Sequence, residues 1–567
     1  MADLKITQLT ELTSPLISDI VPIVDDPSGS PVTKKITLSN LLAQKTVVTV
    51  STSDGSDYVC DGTADDVQIQ AALDAVNSVG GGVVFIKNGT YNIAKANLPM
   101  TIGSNTVLIG ESWATILLLP DLTSGSGGEE SMFENKALTT GNSNIYVGNM
   151  KVSMGAPYES ATGMNTWYGG IVFRGCSNSM IDRIWLVNGS LGVMANTTYS
   201  NTASCLTLGT NKFNIVQNCL LDSVASSCQM SQGTDLYWIN NKVNKAWDDA
   251  LIVSGSVDGL VLRDSTFGMG PPTADKGSNN AAFFILNDGA TGLGINGMRN
   301  ILIDHCTFKD NSGYTVSSPN GSGIAINTAK DVTIKNCFFY DNGADGINNA
   351  GGTTTQNITI EGCTIRDNGD KGIDFGSTAG NACKNVRIEG NRIYNNDGGY
   401  GVYFTNQTNN NYDGITISNN DVYDDQDTPT QTVGIYFLST GSGINTRNIQ
   451  IENNNVHDTT TPISVTTSGG ATFSALRVRN NLGFITEATG TGTIANGATS
   501  ATITHGLSWT PTLSEITITG GENPTADIGT IWVDTIGATT FKVNCEVDPS
   551  TSGFDFGWKV TILRTTL

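Results

Sequence analysis

The sequence is poor in positive charge. Its 567 residues hold 30 Lys and Arg against 52 Asp and Glu, a net charge of −22. That excess repels polyanions, so nucleic acid and anionic membrane are disfavoured as partners. Charged residues of both signs make up only 14% of the chain, which argues against solvated helical bundles. No run approaches the roughly 18 apolar residues of a membrane span, and none is expected. The first residues, Met1-Ala-Asp-Leu-Lys-Ile, lack the apolar core of a signal peptide. The reading is a chain made in a reducing cytoplasm and not exported by that route. Ten cysteines occur at none of the zinc spacings, and buried free thiols are expected. His305, His457 and His505 lie far apart. Gly292-Leu-Gly-Ile-Asn-Gly297 spells the dinucleotide fingerprint, but no βαβ unit surrounds it. Asp341-Asn-Gly-Ala-Asp-Gly346 imitates a calcium loop, yet Gly352 stands where the final Glu is required. No metal and no cofactor are expected.

What the chain does have is glycine, 65 residues of it, and a repeat. Ile301-Leu-Ile-Asp-His-Cys306-Thr-Phe308 returns as Val332-Thr-Ile-Lys-Asn-Cys337-Phe-Phe339 and Ile358-Thr-Ile-Glu-Gly-Cys363-Thr-Ile365. Three more copies carry Asn391, Asn420 and Asn454 at the sixth position, so the steps from Cys306 onward are 31, 26, 28, 29 and 34 residues. A period in this range means stacked units. Apolar residues alternate within each copy, as in a strand with one dry face. A second short motif recurs between copies, as in Gly346-Ile347, Gly372-Ile373, Gly401-Val402 and Gly434-Ile435. Two strand motifs per turn, joined by Asn-, Asp- and Gly-rich corners, describe a coil of a parallel β-helix. Cys306, Cys337 and Cys363 should stack inward, continued by Asn391, Asn420 and Asn454, whose amides satisfy one another from coil to coil. Weaker copies on both sides bring the array to about twelve coils.

The remaining segments divide as follows. Residues 1–44, with strands at 20–24 and 35–37 and a short helix near 38–42, are too few for a core and read as an anchor or adaptor. Residues 45–100 cap the helix and 101–485 form it, with long corners at 123–130, 154–168 and 268–280 as walls of a binding face. Residues 486–500 read as a Thr/Gly/Ala linker. Residues 501–567 carry short alternating strands suited to a β-sandwich.

Asp61-Gly-Thr-Ala-Asp65-Asp66 is a turn with helix-capping carboxylates. After it come an amphipathic helix with Ile69, Ala72, Leu73 and Val76 on one face, then Gly80-Gly-Gly82, a strand and Gly89-Thr-Tyr91. This stretch resembles the N-terminal cap of the pectate-lyase-like β-helix superfamily, in particular its phage tailspike and tail-fibre branch. With the coils, the resemblance covers roughly 58–484. The last segment looks like the terminal domains of phage tail fibres, which trimerise or touch the host. The resemblance implies an all-β right-handed parallel β-helix with an N-terminal anchor and a C-terminal β-sandwich. It also implies a homotrimer attached to the virion tail or baseplate through residues 1–44, whose partner is a bacterial surface glycan. Such a protein is assembled in the host cytoplasm and acts at the host surface. A non-enzymatic adhesin and a free polysaccharide hydrolase or lyase are the alternatives.

Candidate chemistry comes from the register. The residue before the second motif gives the column Asp249, Ser322, Asp345, Lys371, Tyr400, and the residue after it gives Asn348, Asp374, Tyr403, Tyr436. Both columns are expected to face outward on one sheet. The backbones of Asp345 and Asp374 would lie roughly 8 Å apart, within the range of an inverting carboxylate pair. Tyr403 and Tyr436 would offer a sugar platform, with Lys371, Tyr400 and Asn348 as further binding groups. Glu361 and Glu389, flanked by Lys335, share another outward column at about 5 Å, near the retaining spacing. Asp248 and Asp249 resemble the paired-Asp coil of β-helical polygalacturonases, although that family's Asn-Thr-Asp, Gly-His-Gly and Arg-x-Lys motifs are missing. Against all three stands the ordinary reading of a solvated solenoid face.

Overall fold

The computed structural model describes residues 20–25, 32–37, 47–119, 130–138, 140–154, 168–188, 190–194, 211–222, 228–244, 251–268, 283–286, 298–310, 321–327, 329–349, 354–377, 382–407, 412–521 and 527–562. The expected short helix near 38–42, most of the three long corners, the fingerprint at 292–297 and the Asp248-Asp249 pair lie outside them.

The repeat folds as a parallel β-helix. Its first strand motif stacks in unbroken register, with Ile303, Ile334, Ile360, Ile388, Ile417 and Ile451 in one inward column. The column also takes in Val48, Val84 and Leu108, so the coils begin in the segment read as cap. The fifth position of each copy explains the shape of the coil. His305, Asn336, Gly362, Gly390, Asn419 and Asn453 all have φ between 53° and 65°. This left-handed region suits Gly and Asn and turns the sixth residue inward. His305 therefore stands at a corner, its side chain 59% exposed and bonded to Asp304.

The sixth-position column forms as expected. Cys306, Cys337 and Cys363 are buried free thiols. Below them Asn391 Nδ2 donates to Asn420 at 3.0 Å, Asn420 Nδ2 to Asn454 at 2.9 Å, and Asn454 Nδ2 to Asn481 at 2.9 Å. A second ladder was not anticipated. Asn342, Asn368, Asn396 and Gln431 are buried and linked in the same way, at 2.8–2.9 Å. Its signal was present in the Asn that follows each left-handed Asp341, Asp367 and Asn395.

The helix Asp66–Ser78 covers the N-terminal end and buries Ile69, Ala72, Leu73 and Val76. Its two carboxylates do not cap it. Asp65 accepts from the backbone of Gly62 and Asn92, and Asp66 from Ala94 N and Asn97 Nδ2. They tie the cap to the first coils, whose chain at 92–97 presents the donors they accept from.

Further on, one outward column is apolar. Tyr146, Met180, Ile215, Tyr237, Val261 and Leu302 succeed one another coil by coil, each half-buried. The column then turns polar at Thr333, Thr359 and Arg387.

At the N-terminus Ile20–Asp25 and Val32–Thr37 form an antiparallel hairpin. At the C-terminus two three-stranded antiparallel sheets enclose Ile494, Phe541, Val543, Phe556 and Val560. The expected linker at 486–500 is corrected here, since Glu487–Ile494 is a strand paired along its length with Phe554–Thr561. Its glycines are packing sites: a Cβ on Gly490 would lie 2.7 Å from Trp558, and one on Gly492 2.6 Å from Phe556. Small residues under large rings gave the strand the composition of a linker.

Candidate functional site

Three successive strands carry the candidate face. In Ile373–Ser377, Tyr400–Gln407 and Val433–Thr440 the alternation buries Phe375, Phe404 and Phe437. These stack inside at 5.0 Å intervals. The residue before each phenylalanine faces out, which aligns Asp374, Tyr403 and Tyr436, and Asn348 of the preceding coil pairs with Asp374 in the same column, as expected. The neighbouring column is bonded through its backbone. Gly346 N donates to Lys371 O, and Gly372 N to Tyr400 O. Those glycines allow the coils to close up: a Cβ on Gly372 would meet Gly401 O at 2.6 Å and Ile393 at 2.7 Å.

The structure thus brings Asp345, Asn348, Lys371, Asp374, Tyr400, Tyr403 and Tyr436 together. Lys371 is the hub. Its ammonium lies 2.8 Å from Asp370, 3.1 Å from Asp374 and 3.8 Å from Asp345, and 5.2 Å from the centre of the Tyr403 ring. Asp370 was missed in the sequence, because only the positions flanking the Gly-Ile motif were aligned.

Asp345 is not on the surface as expected. It is 2% exposed, covered by Lys371 of the next coil and by Asn348. One carboxylate oxygen accepts from Lys371 N at 3.0 Å, the other from Asn348 Nδ2. The space between Asp345 and Asp374 is bridged by the Lys371 ammonium. Asp374 keeps more access, with its side chain 14% exposed and one oxygen taking the Gly376 amide.

Burial pushes Asp345 up to about 7, Asp374's charge adds to this, and Lys371 opposes it. Asp374 is raised by burial against the opposing pull of Lys371. Burial alone would lower Lys371, but Asp345 and Asp374 outweigh it and hold its proton more firmly. One ammonium thus sits among three carboxylates, of which Asp345 keeps its proton up to about 7.

Asp345 also makes stability depend on pH. Between its ordinary value and about 7 the folded chain keeps a proton that the unfolded chain has released. Stability from this group therefore falls as pH rises through that window. Asp345→Asn should remove the dependence. Its thermal midpoint relative to wild type should rise from pH 5 to pH 8, and an unchanged difference would refute the shift.

The tyrosines do not offer free faces in the way expected. Tyr403 and Tyr436 stack on each other, centroids 5.3 Å apart and 9° from parallel, while Lys371 lies over Tyr403. Tyr400 leans on both at 4.8 and 5.1 Å. The face presented is a row of ring edges beside a fixed cation.

Glu361 and Glu389 are register partners on a different strand stack, with Lys335 next to Glu361. Glu389 is held by Arg387 at 3.2 Å and Asn419 at 3.3 Å. They do not join the Lys371 cluster.

Residues 277–451 match the family model described as the right handed beta helix region. No curated protein matches the sequence. Among solved structures, the tailspike protein of E. coli bacteriophage HK620 in complex with a pentasaccharide is similar at 12% identity, with 96% of this chain and 97% of that chain covered and a TM-score of 0.42. The Dettilon tailspike protein is similar at 14% identity, with 90% and 94% covered and a TM-score of 0.36. The A-module of the Azotobacter vinelandii mannuronan C-5 epimerase AlgE4 is similar at 16% identity, with 76% and 99% covered and a TM-score of 0.42. The family match falls on the regular coils that carry the Lys371 cluster, and the fold of this chain is the right-handed parallel β-helix.

Proposed function

We propose that this chain is a tailspike-type receptor-binding protein of a phage tail, and that it recognises a bacterial surface polysaccharide on the face around Lys371 and cleaves it there. The observation that carries the reading is the cluster itself: a fixed ammonium and partly exposed carboxylates beside three tyrosines, on an otherwise regular solenoid. Glycans are recognised by ring edges and by oriented hydrogen-bonding groups of this kind. Asp374, more accessible than Asp345 and on the outward column beside the tyrosines, serves as the base, and Lys371 orients the sugar oxygens. Asp345, covered by Lys371 and Asn348, holds Lys371 in place. The cap motif at 61–91 supports the tailspike assignment, with residues 1–44 as the attachment to the tail or baseplate.

Incubation with capsule or lipopolysaccharide should release new reducing ends or unsaturated uronate absorbance, and absence of both would refute cleavage. A second reading, a binding-only adhesin, is favoured by the full occupation of both Asp345 oxygens. It expects saturable binding with no product.

The assembly proposed is a homotrimer. Its support is the outward apolar column from Tyr146 to Leu302. The column runs along the solenoid, so copies related by an axis parallel to it present the same residues at the same height. Light scattering should give three chain masses, and Val261→Lys with Leu302→Lys should lower that figure. A single chain mass for the wild type would contradict the trimer.

A further inference from the structure

A second cluster of aromatic and cationic groups lies far from Lys371, near the N-terminal cap and on a different strand stack. Trp113 stands at the corner before Thr115–Leu119. Its indole reaches two coils along the solenoid, where Nε1 donates to Arg183 O at 2.8 Å. That bond lays the ring along the corner with 40% of the residue exposed. Trp185 meets it at 5.9 Å and 56°. Lys151, the register partner of Trp185, holds its ammonium 4.0 Å from that ring's centre.

The local charge is opposite to that of the chain. Arg183, with its side chain 51% exposed, pairs with Asp182 at 3.2 Å and donates to Tyr146 Oη at 3.0 Å. Asp182 is itself buried and also accepts from Tyr146 Oη at 2.7 Å and Asn218 Nδ2 at 2.8 Å. Asp182 therefore offsets one of the two cations, and Glu111 at the same corner turns to the preceding coil, where it accepts from Asn88 N at 2.9 Å. Lys151 makes no ion pair among the described residues. Its contact is a π face, which leaves its N–H donors for an incoming anion.

We infer that Trp113, Trp185, Lys151 and Arg183 form a second saccharide site, and that its ligand is an acidic sugar bearing a carboxylate. An exposed indole fixed along a corner fits the apolar face of a pyranose. Two cations at its rim with one charge in excess fit a single carboxylate. The chain's net charge of −22 weakens long-range attraction for extended polyanions. A discrete acidic residue of a glycan is therefore favoured over nucleic acid or an anionic membrane. The site does not depend on cleavage at Asp374.

The test uses the full chain and tetramers of glucuronic, galacturonic and mannuronic acid, each beside its carboxyl-reduced neutral form, titrated by calorimetry. At least one acidic tetramer should bind, and more weakly as salt is raised. Trp113→Ala should lower that affinity by about tenfold or more, as for a tryptophan at the centre of an interface. Lys151→Gln, a conservative change at a half-buried position, should remove most of the preference for the acidic over the neutral form. Lys371→Met, which should weaken binding at the Lys371 face, should leave this titration unchanged. Binding of none of the tetramers, equal binding of the neutral forms, or unchanged binding in both Trp113→Ala and Lys151→Gln overturns the proposal. Loss of binding in Lys371→Met alone would also overturn it, by placing the acidic sugar at the Lys371 face.

Discussion

Asp374→Asn is expected to lower polysaccharide cleavage by about a hundredfold or more, the order of a general base, while glycan binding and the thermal midpoint stay near wild type. The fold should tolerate the change, because an amide oxygen still accepts from Gly376 N and Ile373 and Phe375 on either side remain buried. The exchange removes the negative charge next to Lys371 at 3.1 Å and the ability to accept a proton. Lys371→Met should act differently. It takes away the shared counter-charge of Asp345, Asp370 and Asp374, and so should weaken binding and cleavage together. Rates read from reducing ends, beside affinities from calorimetry, separate the two. Full cleavage by Asp374→Asn would move the chemistry away from this cluster, with Asp248 and Asp249 next to be tried.

Asn420→Leu is expected to be among the most damaging single changes to stability. Asn420 Oδ1 accepts from both Asn391 N and Asn391 Nδ2. Its amide donates to Ile388 O and Asn454 Oδ1. Leucine has nearly the same shape, so little packing is lost, yet buried polar groups on the two flanking coils lose a partner. Each such group costs about 1–3 kcal/mol, and the ladder continues through Asn454 to Asn481. A large fall in thermal midpoint and in soluble yield should follow. Gln450→Leu, on the solvated face of the neighbouring coil, should stay within about 0.5 kcal/mol of wild type. Equal midpoints for the two variants would show that the ladder does not hold the coils.

Much of this was legible in the sequence, for a physical reason. A solenoid repeats one environment, so a residue type that suits the sixth position once suits it again. That is why Cys306 to Asn454 could be placed without coordinates. The same regularity aligned Asn348, Asp374, Tyr403 and Tyr436, because a strand's period of two fixes the side of every residue. What the period does not encode is how a side chain lies once it leaves its strand. Asp345 occupies the expected column, yet Lys371 and Asn348 fold over it. Tyr403 and Tyr436 face outward, yet stack on each other and so turn their edges to solvent. Corners were harder still. Asp65 and Asp66 serve amides some thirty residues away, contacts with no local signature. Gln431 closes the second ladder after a longer loop whose length hides the repeat. The strand at Glu487–Ile494 was hidden by composition, since its glycines answer to Trp558 and Phe556 rather than to flexibility.

The central claim is that a saccharide sits on the face around Lys371. The most direct test is a crystal structure of the Asp374→Asn chain soaked with an oligosaccharide of the polysaccharide it binds. The expected result is an ordered sugar along the row of Tyr400, Tyr403 and Tyr436, with oxygens within hydrogen-bond distance of Lys371 Nζ and of residue 374. An ordered sugar elsewhere on the solenoid, with Lys371 still enclosed by Asp345 and Asp370 and no sugar atom near it, would contradict the claim.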